Sequence, residues 1–350
     1  MMKLLLLLLL VALPIFECSA DTNASAEEES PWLLTPLLSS SPKLGTSLGA
    51  LAGYLYRFDE DSPVSTFGIG GTYSSTHSYI AAIGGNLYFD HDRQRVIAGL
   101  AKGKVNNEYN DYLGTGVSIS STDELNAAFL RYTHRLWTDW FIGLQGVATD
   151  YVIVGDNLFS TVVLQFIGLT GFKSNGIGAV LQRDTRDNQN SPSTGSSLIL
   201  YNFAFRKALG GEENFDAYTL NYSVYVPSFA SSVLAMRLDN RWAVDAPPSA
   251  YSSISLPGYT MGQYLAPYSA ILEAEERIPI WRAFGFDAAV GVGCLYGDGK
   301  SCTDSKNLFP SASAGISYLI KPKDKMVVRA DVGVGKDENV GFYLKFGQPF

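Results

Sequence analysis

Tyr218-Thr219-Leu220-Asn221-Tyr222-Ser223-Val224-Tyr225-Val226 is the stretch on which the fold turns. Successive side chains of a strand point to opposite faces, so Tyr218, Leu220, Tyr222, Val224 and Val226 form one lipid-like face, and Thr219, Asn221, Ser223 and Tyr225 form the other. The pattern returns three times downstream. Leu234, Met236, Leu238 and Trp242 oppose Arg237, Asp239 and Arg241; Val328, Ala330, Val332 and Val334 oppose Arg329 and Asp331; Phe342, Leu344, Phe346 and Phe350 oppose Tyr343 and Lys345. Charge on one face and apolar bulk on the other suit a strand standing between lipid and a polar lumen.

Outward from these stretches, alternation and turn residues place sixteen strands, from Lys43–Tyr56 to Val340–Phe350, with Leu158–Leu169 as the seventh. A β-sandwich would also alternate, but it rarely carries large aromatics on its wet face, and an open sheet leaves edges that closure removes. The 34 Gly, 20 Tyr and 19 Phe, with 17% charged and 46% hydrophobic residues and no concentrated apolar block after the N-terminus, agree with a barrel. The expectation is an all-β, 16-stranded antiparallel transmembrane β-barrel.

Between strands 11 and 12 runs a long, almost uncharged connection, Val244 to Ser269, containing Leu256-Pro257-Gly258-Tyr259. Connections in compact folds are commonly about 4–6 residues, so this one asks for a role. With both chain ends at the periplasmic side, counting puts Arg57–Pro63 and the long loop outside, and Asp184–Gly195 and Pro227–Phe229 at the periplasm. On this count Asn106–Thr122 is a periplasmic turn longer than such turns usually are.

Met1 to Lys3, the apolar Leu4 to Pro14 and the small Cys18-Ser19-Ala20 form a secretory signal peptide, too short for the roughly 20 residues a membrane helix needs. The expected organisation is a signal peptide over 1–20, an acidic, Ser- and Pro-rich periplasmic linker over 21–42, and an outer-membrane barrel over 43–350. Cys294 and Cys302 share one loop of an exported protein, so they form either an intraloop disulfide or a pair of free thiols. The net charge of -8 argues against nucleic acid as a partner.

No catalytic, metal or cofactor site emerges. Gly45-Thr46-Ser47-Leu48-Gly49 matches the nucleophile-elbow pattern but lies within a strand with no helix behind it. Gly299-Lys300-Ser301 lacks the first glycine of a phosphate loop, because that position is Cys294. His77, His91 and His134 have no metal-ligand spacing. Arg183, Asp184, Arg186 and Asp187, followed by Pro192 and Gly195, suit a turn whose carboxylates accept backbone N–H groups and pair with guanidinium groups.

That turn belongs to an ordered set: the Gly258-Tyr259 loop tip, the strand bearing Glu275, Arg277 and Pro279, the Gly285-Phe286-Asp287 start of the next strand, and the ending Phe346-Gly347-Gln348-Pro349-Phe350. Together with the opening Thr35-Pro36-Leu37-Leu38, these resemble, over Leu33 to Phe350, the barrel of the BamA/TamA outer-membrane assembly factors of the bacterial surface antigen superfamily. The resemblance implies a weak seam between first and last strands, a lumen-directed loop between strands 11 and 12, and a terminal strand, with Phe346 and Phe350, that the barrel-assembly machinery recognises. It departs from the family twice. The family's periplasmic modules do not fit within 21–42, so a short form is expected. The family's loop arginine, which reaches the aspartate equivalent to Asp287, is Pro257 here; Arg237, Arg241 and Arg277 face the same lumen and are the candidates to replace it.

The function expected from the resemblance is help with protein or lipid insertion or translocation at the bacterial outer membrane, not an enzymatic activity. Expected partners are outer-membrane lipid, the barrel-assembly machinery and a periplasmic protein supplying substrate. The alternatives are a passive small-solute channel or a structural surface protein.

Overall fold

The computed structural model describes residues 30–41, 45–109, 119–150, 173–260 and 262–347. Sixteen antiparallel strands make the wall: β1 Trp32–Ser41, β2 Gly45–Tyr56, β3 Ser65–Ser74, β4 Tyr79–Phe89, β5 Gln94–Tyr109, β6 Ile119–Trp137, β7 Trp140–Thr149 and β8 Ser174–Asp184. They continue as β9 Gly195–Phe205, β10 Phe215–Pro227, β11 Val233–Val244, β12 Tyr268–Trp281, β13 Phe284–Tyr296, β14 Leu308–Lys321, β15 Met326–Gly335 and β16 Val340–Phe346. Each pairs with the next, and β1 meets β16 to close the ring.

Alternation sorts the two faces as the sequence expects. Tyr218, Tyr222 and Val226 are exposed on β10, whereas Ser223 and Tyr225 are buried. Leu34, Leu144 and Val290, exposed by 79, 71 and 64%, are in the apolar outward band that lipid requires. Aromatics gather where strands meet short turns: Trp32 packs edge-on against Tyr54, and Trp281 stacks on Phe284, which leans on Tyr318. Among the described residues no helix is long and apolar enough to cross a membrane.

The sixteen strands are not quite the sixteen that alternation picked. Trp32–Ser41, assigned to the linker, is the first wall strand: Leu33, Thr35 and Leu37 are buried while Trp32 and Leu34 are exposed. Pro36 is tolerated there because β1 has a ladder on its β2 side only at that level. Leu158–Leu169 falls outside the described residues, and β7 pairs directly with β8 from Trp140↔Arg183 to Thr149↔Ser174. The signal peptide, Cys18 and Phe350 also lie outside the described residues.

Moving the first strand corrects the parity. The Arg57–Pro63 turn lies at the same end as Asp184–Gly195, not opposite it: Arg57 pairs with Asp324, whose backbone carbonyl accepts from Asn190. The strand ends Tyr109 and Ile119 fall at the other end of the barrel, that of the long loop. Among the described residues the longest connection, Asp245–Pro267, is at that other end, which is the asymmetry barrels show.

Candidate functional site

Three features meet on one side of the barrel: the long loop, a charged stretch of inner wall, and the seam. The loop runs from Asp245 to Pro267, where Ser252–Ser253 and Leu265–Ala266 pair as a two-residue ladder. Its Ile254, Leu256, Tyr259, Tyr264 and Ala266 pack with Ile271, Leu295 and Phe309 of the wall. The wall is cut to receive them. A Cβ on Gly333 would lie 2.5 Å from the Pro257 Cβ, one on Gly335 2.5 Å from the Tyr259 ring, and one on Gly291 2.8 Å from Leu256. These glycines alternate with the exposed Val290, Val292, Val332 and Val334, so the loop lies on the inner face.

Hydrogen bonds fix the loop tip. Gly258 adopts φ +92°, a region suited to glycine, and its N–H donates to Tyr343 Oη at 3.0 Å. Ser311 Oγ donates to the Pro257 carbonyl at 2.6 Å, and Tyr259 Oη to the Pro310 carbonyl at 2.6 Å. Arg237 donates to the Ser255 carbonyl at 2.9 Å. At the long-loop end, Cys294 and Cys302 are joined by a disulfide, and Lys300 Nζ donates to Leu265 O at 2.8 Å.

Beside the tip, the inner wall carries a buried ionic network. Arg329 donates to both oxygens of Glu275, at 3.0 and 2.9 Å, and lies 3.2 Å from Asp331 and 3.7 Å from Asp287. Arg277 Nε donates to Glu275 at 2.7 Å, and Lys345 on β16 pairs with Asp331 at 3.3 Å. The wall therefore supplies the cation nearest Asp287, and it is none of the three candidates. Arg237 is engaged by Glu273 and Asp239, Arg241 by the Ala250 carbonyl and Ser252, and Arg277 by Glu275. Phe286, grouped with Asp287 by sequence, lies on the opposite face of β13 because neighbours along a strand diverge. Arg329, Asp331 and Lys345 are legible as inward positions, but Glu275, which Arg329 grips, lies 54 residues away with two strands of wall between, and only the closed barrel brings the two together.

The Arg183–Gly195 segment splits likewise. Asp184 is gripped by Arg95 at 2.7 Å and by Arg186 at 2.8 Å. Asp187 accepts from the Ser193 and Thr194 N–H groups at 2.8 and 3.1 Å and from the Ser193 hydroxyl at 2.7 Å. Burial raises the Asp187 pKa, yet these donors and Lys325 outweigh it and hold it at about 2. Gly195, at φ +95°, leaves no room for a Cβ against the Thr185 carbonyl. Arg183 is exposed and stands apart from this cluster. Beneath the turn opens a polar cleft of about 540 Å³, lined by Arg57, Asp92, Arg95, Arg135, Asp184 and Asp324.

The seam is the third feature. Among the described residues, neighbouring strands elsewhere pair over seven or more positions, but β1 and β16 share only Ser39↔Tyr343 and Ser40↔Phe342. Toward the short-turn end the gap is bridged by a buried apolar clasp of Leu33, Leu55, Met326 and Phe346. Phe346, which alternation places with the outward Phe342 and Leu344, is 4% exposed because of it.

Sixteen strands, a two-pair seam and a loop seated on the inner wall invite comparison with solved barrels. BamA from Haemophilus ducreyi lacking POTRA domains 1-3 matches with TM-score 0.53 and 12% identity over 90% of this chain and 70% of that one. CdiB from Escherichia coli matches with TM-score 0.60 and 14% identity, covering 91% of this chain and 63% of that one. CdiB from Acinetobacter baumannii gives 0.56 and 10%, covering 89% and 58%. The fold is that of the BamA and CdiB barrels. The chain spans under two thirds of either CdiB, and no protein-family model or curated protein matches its sequence. In this chain Gly258 and Tyr259 stand at the loop tip, and Arg329 of the wall lies beside Asp287.

Proposed function

We propose that this barrel works in the bacterial outer membrane, reached through its signal peptide, and assists protein or lipid insertion or translocation through the β1–β16 seam. The observation that carries the reading is the ladder of two positions at that seam. Unpaired backbone groups facing lipid cost several kcal/mol each. A strand or headgroup that supplies hydrogen bonds there is therefore favoured, as in recognition by strand addition. Trp32 and Leu34 give β1 an apolar outward face beside that edge. The likeness to BamA and CdiB supports the same reading. Its partners would be membrane lipid, the assembly machinery for its own insertion, and a periplasmic protein that delivers substrate.

The test is reconstitution into liposomes, measuring insertion of an unfolded barrel client and exchange of labelled lipid between leaflets. A Ser40→Cys/Phe342→Cys variant locks the seam. Locking is expected to abolish the activity, and reductant to restore it, with the unlocked protein under reductant as control for Cys294–Cys302. Equal activity of the locked and unlocked barrels refutes the seam as the working part.

A further inference from the structure

The Thr185–Thr194 turn is more than a connection between neighbours. It leaves β8, returns into β9, and on the way reaches the turn between β14 and β15, with the six strands β9 to β14 of wall between its root and its contact. Asn190 Nδ2 donates to the Asp324 carbonyl at 2.9 Å, Lys325 Nζ pairs with Asp187 at 3.0 Å and donates to Ser193 Oγ at 3.2 Å. The turn is thus a strap over the short-turn mouth.

Its docking point adjoins the seam. Asp324 and Lys325 precede Met326, a member of the apolar clasp with Leu33 of β1 and Phe346 of β16. A second route runs through the inner wall. Arg277 Nη1 donates to the Pro192 carbonyl of the strap at 3.4 Å and, through Glu275, Arg329 and Asp331, leads to Lys345 on β16. Both routes end on β16, the strand whose pairing to β1 is shortest.

We propose that the strap is a latch for the seam: while it is docked on the β14–β15 turn the clasp holds β1 against β16, and lifting it from the mouth loosens their pairing. A polar segment entering the cleft under the strap meets Arg57, Arg135 and Asp324, and it must displace the strap to go further. Arrival at the mouth is thereby coupled to the membrane side of the barrel. The latch rests on the reading of the seam as the working part, but its test needs no client.

The experiment measures the rate of disulfide formation in the Ser40→Cys/Phe342→Cys protein in detergent and in liposomes, with the strap intact and with its anchors removed by Asn190→Ala and Lys325→Ala. Both anchors are polar and partly solvent-exposed, and resistance of the unheated barrel to dodecyl sulfate verifies folding. Limited proteolysis between Thr185 and Thr194 reports strap release. The latch predicts faster cleavage of the strap and a slower cross-link by about five-fold or more, the low end of coupling between linked sites. It also predicts recovery of the rate when Asn190 is kept and Lys325 is replaced by Arg. A released strap with an unchanged cross-linking rate overturns the coupling, and a strap that stays protected overturns the docking contacts. If the coupling holds while the liposome assay shows no insertion or lipid exchange, the seam's assigned activity fails and the latch stands.

Discussion

Arg329 is the residue whose removal costs most. Three carboxylates lie within 3.7 Å of its guanidinium, and it is 4% exposed. Breaking a buried ion pair from one side costs about 3–5 kcal/mol, because the orphaned charge stays desolvated. Arg329→Met is therefore expected to destabilise the lipid-reconstituted barrel by that order in urea unfolding. Asp287→Asn is expected to cost much less, since Arg329 keeps Glu275 and Asp331. At the loop tip, Gly335→Ala pushes a methyl into the Tyr259 ring and Tyr343→Phe removes the acceptor of the Gly258 N–H. Both are expected to speed protease cleavage within Asp245–Pro267, whereas Asp287→Asn leaves it unchanged because the loop contains no Lys or Arg. Equal cleavage in all three variants would show that the tip is not held by these contacts.

At the scale of elements, the strap has a pH signature. Asp187, ordinarily at 3.8, sits at about 2 in the folded protein. A lowered carboxylate pKa means its stabilisation is fully present above the unfolded value and lost as pH falls through the folded one. Protection of Thr185–Thr194 from proteolysis by an acid-tolerant protease is expected to hold down to about pH 4 and decline toward pH 2. Asp187→Asn should remove that dependence. The neighbouring β4–β5 turn moves the opposite way: Asp61 accepts a hydrogen bond from His91, which raises the imidazole pKa. That contribution is present below the ordinary histidine value and fades as pH rises past the folded one. In a proton-NMR titration Asp61→Asn should lower the His91 midpoint.

For the whole molecule, the seam-facing amides of β1 and β16 are expected to exchange hydrogen fastest in the wall, since local opening follows missing pairing. Uniform protection across all sixteen strands would contradict the two-pair ladder. How much of this was legible follows from what alternation records. Period two finds faces, so the strands around Tyr218 and Leu234 are legible, with inward polar or charged residues and outward bulk. It passes over Trp32–Ser41, whose Ser- and Pro-rich composition reads as linker, and with it go the side assignments of the turns before the expected strand Leu158–Leu169, Arg57–Pro63 among them. Contacts between strands far apart in sequence, such as Arg329 to Glu275 or Lys325 to Asp187, depend on register and loop path, and neither has a local signal. A proline at position 257 announced a missing cation, but not that the wall would supply one.

The slot of glycines that receives the loop carries an architectural debt. Glycine inside a strand weakens it by roughly 0.5–1 kcal/mol relative to alanine, since it loses more backbone freedom and packs nothing. Gly291, Gly293, Gly333 and Gly335 place that weakness in β13 and β15, the latter adjoining a β16 that is poorly tied to β1. The loop's side chains fill the space those glycines leave open, so it acts as keystone to the arc of wall beside it. An assembly intermediate in which the loop has not yet seated would have the glycine-weakened β15 close to its unfinished joint, and the last step of closure would be the seating of the loop and the joining of the seam together.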